Sequence, residues 1–168
     1  GIVPDLACFG KGISGGMPLS AVVGTEELMS MYGPGEMTST HSANPICAAA
    51  ALANIEAILD DDLVGNARRL EPVLLDAGRA MMADAKGRLG RADGAGLVMA
   101  LQFVQPGTTT PDPELAFQVV SRCVESGVML FAPVGVGGGA VKINPPLVVT
   151  EEILREGLEV IAEVVRSV

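Results

Sequence analysis

Apolar positions along the chain change their period several times, and each change marks an element. Two short continuous apolar runs, Leu6–Phe9 and Leu19–Val23, have strand length and are each closed by glycine, which predicts a pair of buried strands. Thr25 followed by Glu26 and Glu27 predicts a short helix that ends near Tyr32, before Gly33-Pro34-Gly35. Asn44-Pro45 is a helix start, with an amide at the cap and proline at the first helical position. That helix is predicted to run to about Leu59, its alanines (Ala48 to Ala51, Ala53) permitting close packing on a neighbour. Beyond Asp60-Asp61-Asp62, which breaks the pattern and caps the next helix, Ala67, Leu70, Leu74, Ala77 and Met81 fall in steps of three and four. They form one stripe of a helix ending near Ala85, in which Pro72 predicts a kink or a break.

The remaining half alternates strand and helix signals. Leu97–Val104 reads as a strand preceded by the turn Asp93-Gly94-Ala95-Gly96. Asp112-Pro113 opens a helix with Ala116, Val119, Val120 and Cys123 inward and Gly127 as its stop. Val128–Phe131 reads as a strand, Gly135–Gly139 as a loose loop, and Val141–Ile143 as a strand edge ended by Pro145-Pro146. Thr150 caps a last helix buried through Leu154, Leu158, Ile161 and Val165. The sum is an α/β chain in two parts: residues 1–60, then a smaller α+β unit over 61–168 with its linking helix. The glycine run at 135–139 lacks the strand–loop–helix setting of a dinucleotide loop and carries no such reading.

Composition narrows the class. Hydrophobic residues make up 49% of the chain, aromatics only 3%, and there is no tryptophan, so the core must be aliphatic and alanine-rich. A formal net charge of −9 argues against nucleic acid and against anionic membrane surfaces as partners. The apolar runs are interrupted well short of a membrane span, for example by Asn54 and Glu56. Cys8, Cys47 and Cys123 are odd in number, far apart and set in apolar contexts. They are expected to be buried thiols of a reducing compartment, neither a disulfide framework nor a metal site. With no basic, apolar leader in view, the expectation is a cytoplasmic protein.

Candidate chemistry starts at Lys11. It lies between the first two apolar runs, among Gly10, Gly12, Gly15 and Gly16, and is one of only three lysines against eight arginines, so it is not one of a solubilising crowd. Four glycines in so short a stretch suit a backbone that must turn sharply or admit a close neighbour. An amine at the mouth of two strands, partly withdrawn from water, is a nucleophile for an aldehyde and forms a Schiff base. A solvated loop lysine is the plainer alternative on this pattern alone.

Pro4–Gly24, with Pro-Asp, an apolar strand, Gly-Lys-Gly, Gly-Gly-Met-Pro and Ser-Ala-Val-Val-Gly, resembles the cofactor-lysine segment of the class III (ornithine/4-aminobutyrate type) pyridoxal-phosphate aminotransferases. Thr38–Ala53 (Thr-Ser-Thr-His-Ser-Ala-Asn-Pro…) and Val141–Glu152 (Val-Lys-Ile-Asn-Pro-Pro-Leu…) agree with the same family, in its order and spacing. The resemblance implies a fold-type I transferase: the end of the large cofactor domain followed by an α+β small C-terminal domain. Because Gly1-Ile2-Val3-Pro4 runs straight into a strand without an initiator methionine, the chain is read as the carboxy-terminal part of a longer protein. In the family the preceding part supplies the acid facing the pyridine nitrogen, the aromatic that stacks on the ring and a first phosphate-binding turn.

The same resemblance implies roles residue by residue. Lys11 would carry pyridoxal 5'-phosphate and move the proton during amino transfer between an amine or amino acid and a 2-oxo acid. Thr40 would bind the cofactor phosphate of a neighbouring subunit, with Ser39 as a weaker companion, which implies a homodimer with a shared site. Lys142 stands where members often carry a basic residue that can meet a substrate carboxylate, although lysine lacks the bidentate fork of arginine. His41, the only histidine, is expected to pack beside the cofactor loop rather than to act as a base. One departure is Asp93-Gly94-Ala95-Gly96, where members often read Arg-Gly-x-Gly. An epimerase, aminomutase or phospho-lyase of the same group is the nearest rival activity. A catalytically silent domain binding a partner through the alanine-rich helix is a rival of another class.

Overall fold

A computed structural model describes all 168 residues and separates them into two compact units, Gly1–Asp62 and Leu63–Val168. In the first unit β1 (Leu6–Phe9) and β2 (Ala21–Gly24) form an antiparallel hairpin, with Leu6 opposite Gly24 and Phe9 opposite Ala21. A single 3-10 turn, Lys11–Ser14, bridges them, and the chain then reverses through Gly15 and Gly16 at φ of 67° and 138°, which favour glycine. The short helix α1 (Glu26–Met29) follows, its Thr25 making no side-chain capping bond.

Helix α2 (Pro45–Asp60) starts where Asn44 predicts it. The Asn44 amide oxygen accepts from Ile46 N at 3.0 Å and Cys47 N at 3.2 Å, satisfying two of the N–H groups a helix start leaves orphaned. The strands are not buried as expected. Leu6, Phe9, Val22 and Val23 are about half exposed, because two strands make a ribbon with two open faces and α2 packs on the 3-10 turn instead. Ser14, Cys47 and Ala51 are the buried residues of this unit. Cys8, read as a buried thiol, sits exposed on the same ribbon.

The second unit holds the hydrophobic core. Strands β3 (Leu89–Ala95), β4 (Val98–Phe103) and β5 (Ala140–Ile143) form an antiparallel sheet in that order. Helices α3 (Leu63–Asp84) and α4 (Pro113–Glu125) pack on it, and α5 (Glu151–Ser167) lies against both helices. Leu89, Met99, Leu101, Phe103, Val141 and Ile143 meet Leu70, Leu74, Met81, Val119, Leu154 and Leu158 in one cluster. Each side chain removed from water there contributes roughly 1.5–3 kcal/mol before entropy is counted. By the period of two, Arg91, Asp93, Ala100, Gln102, Ala140 and Lys142 fall on the opposite, more exposed face. No helix of the structure is long and apolar enough to cross a membrane.

Three elements depart from expectation. Asp93–Ala95, read as part of a turn, belongs to β3, and the turn of the β3–β4 hairpin is Gly96-Leu97, with Gly96 at φ 55°. Val128–Phe131 joins no ladder: Val128 N donates to Cys123 O at 2.8 Å, folding the segment back under the end of α4. Its alternation survives, Val128 and Leu130 packing on the core while Met129 and Phe131 stand exposed. Helix α3 runs unbroken through Pro72, its stripe of Leu70, Leu74 and Met81 fully buried.

Candidate active site

Three residues of the first unit other than glycine have a positive φ, and the lysine is one of them, beside Ala43 and Asp62. Lys11 has φ 52°, in the left-handed region where a side chain other than glycine is strained by about 1–3 kcal/mol. Such strain persists only where surrounding structure enforces it. Two buried or half-buried groups do so. The Ser14 hydroxyl donates to Met17 O, and the Asn54 side chain donates from Nδ2 to Gly12 O at 3.0 Å and to Ile13 O at 3.1 Å. The amide thus spans from the middle of α2 to the turn, 41 and 42 residues away in sequence.

Lys11 itself is exposed, and its ammonium makes no hydrogen bond or ion pair in the structure. A Cβ added at Gly10, Gly12 or Gly16 would meet nothing within 4 Å, so space beside the lysine stays open for a ligand. The residues present therefore fit an aldehyde coenzyme held at this amine. The site is a free amine on a stiff, strained turn with room around it.

Thr40 lies exposed in the turn 39–42, four residues before the cap of α2. Ser42 N donates to Ser39 O at 3.0 Å, Ser39 N donates to Ser42 Oγ at 2.9 Å, and the two hydroxyls stand 3.1 Å apart. A cleft of about 290 Å3 is lined by Ser39, His41, Asn44 and the Pro18–Ser20 stretch that follows the lysine turn. The structure thus brings Ser39 and His41 against the strand entering β2, while no hydrogen bond joins Lys11 to Thr40. Ala43, also left-handed at φ 53°, sharpens the corner into the helix.

Lys142 belongs to the second unit, on edge strand β5 opposite Ala100, its Nζ 5.7 Å from the centroid of the Phe131 ring. At that range the ring face attracts the cation and orients it. Both line an apolar groove of about 240 Å3 together with Asn144, Pro145 and Ile153. On the same sheet, the acid that stands in place of the family's arginine acquires a local partner. The Asp93 carboxylate accepts from the Arg91 guanidinium and from Gly94 N, which together hold it below the usual carboxylate range.

Asn54 and Ser14 escaped the sequence reading. The available signal was a lone amide within a run of alanines, which a purely packed helix has no use for. Cys123 is fully buried, and desolvation pushes its thiol up to about 11.

The sequence pattern of the family described as Aminotransferase class-III matches residues 1–165. A 4-aminobutyrate aminotransferase of Mycobacterium leprae is 37% identical over 98% of this chain and 36% of its own length. An alanine/serine racemase of Pyrococcus horikoshii is 34% identical over 99% of this chain and 34% of its own. The ornithine aminotransferase structure from Toxoplasma gondii, described with partial occupancy of PLP at its active site, superposes with a TM-score of 0.85 at 28% identity, covering 98% of this chain and 37% of that one. The chain spans about a third of the length of the curated relatives it matches.

Proposed function

The chain belongs to the class III aminotransferase family, and from that premise we propose that the whole protein transfers an amino group between an amine or amino acid and a 2-oxo acid, with Lys11 as its catalytic lysine. The observation that carries the reading is Lys11 itself: a strained left-handed residue with an unpaired amine, on a turn that Ser14 and Asn54 keep stiff.

Pyridoxal 5'-phosphate, when bound, supplies the electron sink that makes a substrate C–H bond acidic. The protein's residues do the rest. Lys11 would hold the coenzyme through its amine and would accept and return the substrate proton at Nζ. Thr40, assisted by Ser39, donates its hydroxyl to the coenzyme phosphate of a partner subunit, near a helix start that favours an anion. That role requires a homodimer, and it suits the exposure of Thr40. Lys142, preset by the Phe131 ring, meets the carboxylate of the substrate as a point charge. Three free cysteines and the absence of a pairing partner for any of them favour a cytoplasmic setting.

The test uses the full-length protein. Pyridoxal phosphate should produce an absorbance band that borohydride fixes onto the peptide containing Lys11, and an amino donor should release a 2-oxo acid. Attachment at another lysine, or none, refutes the assignment. The racemase relative favours a second reading, in which the same lysine serves stereochemical inversion. Conversion of a single-enantiomer amino acid into a mixture without net oxo acid selects it.

A further inference from the structure

We propose that Asn54 is a positioning residue for Lys11, holding the lysine's backbone in its left-handed conformation from 43 residues away; the proposal rests on the reading of Lys11 given above. Asn54 lies midway along α2, the one amide in a helix that is apolar from Pro45 to Ile55 apart from it. Its side chain is not idle. Both protons of one amide nitrogen are directed at the carbonyls of Gly12 and Ile13, the two residues following Lys11, at 3.0 and 3.1 Å. These carbonyls belong to the first turn of a 3-10 segment too short to hold itself, since an isolated turn fixes several torsions for few hydrogen bonds.

The far side of the amide is closed as well. A Cβ at Gly15 would stand 3.2 Å from Asn54 Oδ1, so the amide is seated between the turn's carbonyls and the reversal that follows. A hydrophobic residue of similar size would fill the space but leave both carbonyls without their donor. The turn could then relax Lys11 out of its left-handed well, and the amine would swing away from one fixed place. An amine that must reach an aldehyde carbon from a set direction loses rate when its base is loose.

The experiment uses the full-length protein with Asn54→Leu and Asn54→Asp, the second keeping the shape of the side chain while removing both donor protons. The readouts are the borohydride-trapped attachment of pyridoxal phosphate to the Lys11 peptide, and amide exchange over residues 11–17 of the coenzyme-free protein. The expected result is a limiting attachment rate lowered about tenfold, the scale of two lost hydrogen bonds, with the half-saturating coenzyme concentration changed little. Exchange over 11–17 should quicken while the rest of α2 stays protected. A merely structural role predicts the opposite split: uniform loss of protection along α2, weakened saturation and an unchanged limiting rate. That outcome overturns the proposal, as does wild-type behaviour in either soluble variant. Should Asn54→Leu not fold, Asn54→Asp decides alone by the same two readouts. Absence of Lys11 attachment in the wild-type protein would instead refute the function assigned to the lysine, and the exchange data would still report on the turn.

Discussion

Gly78 offers a contest between two effects of known size. It lies inside α3, where alanine is favoured over glycine by about 0.8–1.0 kcal/mol on helix propensity alone. Yet a Cβ there would overlap Met99 Sδ, and would stand 3.2 Å from Met99 Cε and 3.3 Å from Ala92 Cβ. Met99 is fully buried in the core, so its thioether has little room to yield. Overpacking of this kind costs about 1–3 kcal/mol. The steric term should win, and Gly78→Ala should destabilise the protein by roughly 1 kcal/mol. Urea unfolding followed by helix circular dichroism should show a midpoint lower by about 0.3–1 M, given usual denaturant slopes. The decisive measurement is the cycle with Met99→Ala. With the thioether gone, only Ala92 Cβ at 3.3 Å stays close to the added methyl, and Gly78→Ala should become stabilising by up to about 1 kcal/mol. If the substitution has the same sign in both backgrounds, contact with Met99 is not what keeps glycine there.

Other outcomes follow from single features. Asn44→Ala should cost about 1 kcal/mol by uncapping α2, whose first free N–H groups it serves, measured by urea unfolding. In the folded 168-residue chain a water-soluble thiol reagent should label the exposed Cys8 and spare Cys47 and Cys123, as peptide mapping would show. The folded Cys123 thiol titrates near 11, above its ordinary value, so folding is favoured while the thiol keeps its proton. That contribution is whole below the unfolded thiol's pKa and is lost as pH rises towards 11, so the alkaline fall in stability should be shallower in Cys123→Ala. In Arg91→Ala, an NMR titration of the Asp93 carboxyl should move up towards the ordinary carboxylate range, since the Arg91 hydrogen bond is the largest cause of its depression.

What could be read in the chain beforehand was whatever local chemistry decides. Asn44-Pro45, Asp112-Pro113 and Thr150 mark helix starts because their side chains bond the very next turn, and all three do so at 3.0–3.3 Å. The stripe of Leu154, Leu158, Ile161 and Val165 needs only helical period and a core. Strand β3 was illegible for the converse reason. Leu-Gly-Arg-Ala-Asp-Gly-Ala has little strand preference of its own and becomes a strand through pairing with β4. Val128–Phe131 shows the mirror case, an apparent strand by pattern that finds no ladder among these residues. At the site, the motif pointed to Lys11, Ser39, Thr40 and Lys142. The bond from Asn54 to the turn could not be foreseen, because it depends on how α2 lies against residues far from it in sequence.

The left-handed backbone at Lys11 sets robustness against reactivity at one residue. Glycine at that position would relieve about 1–3 kcal/mol of strain, so Lys11→Gly should yield a sturdier protein than the natural one, with nothing left to react. Lys11→Ala removes the same amine without that relief. Comparing the two substitutions therefore separates what the amine does from what its awkward perch withholds from folding.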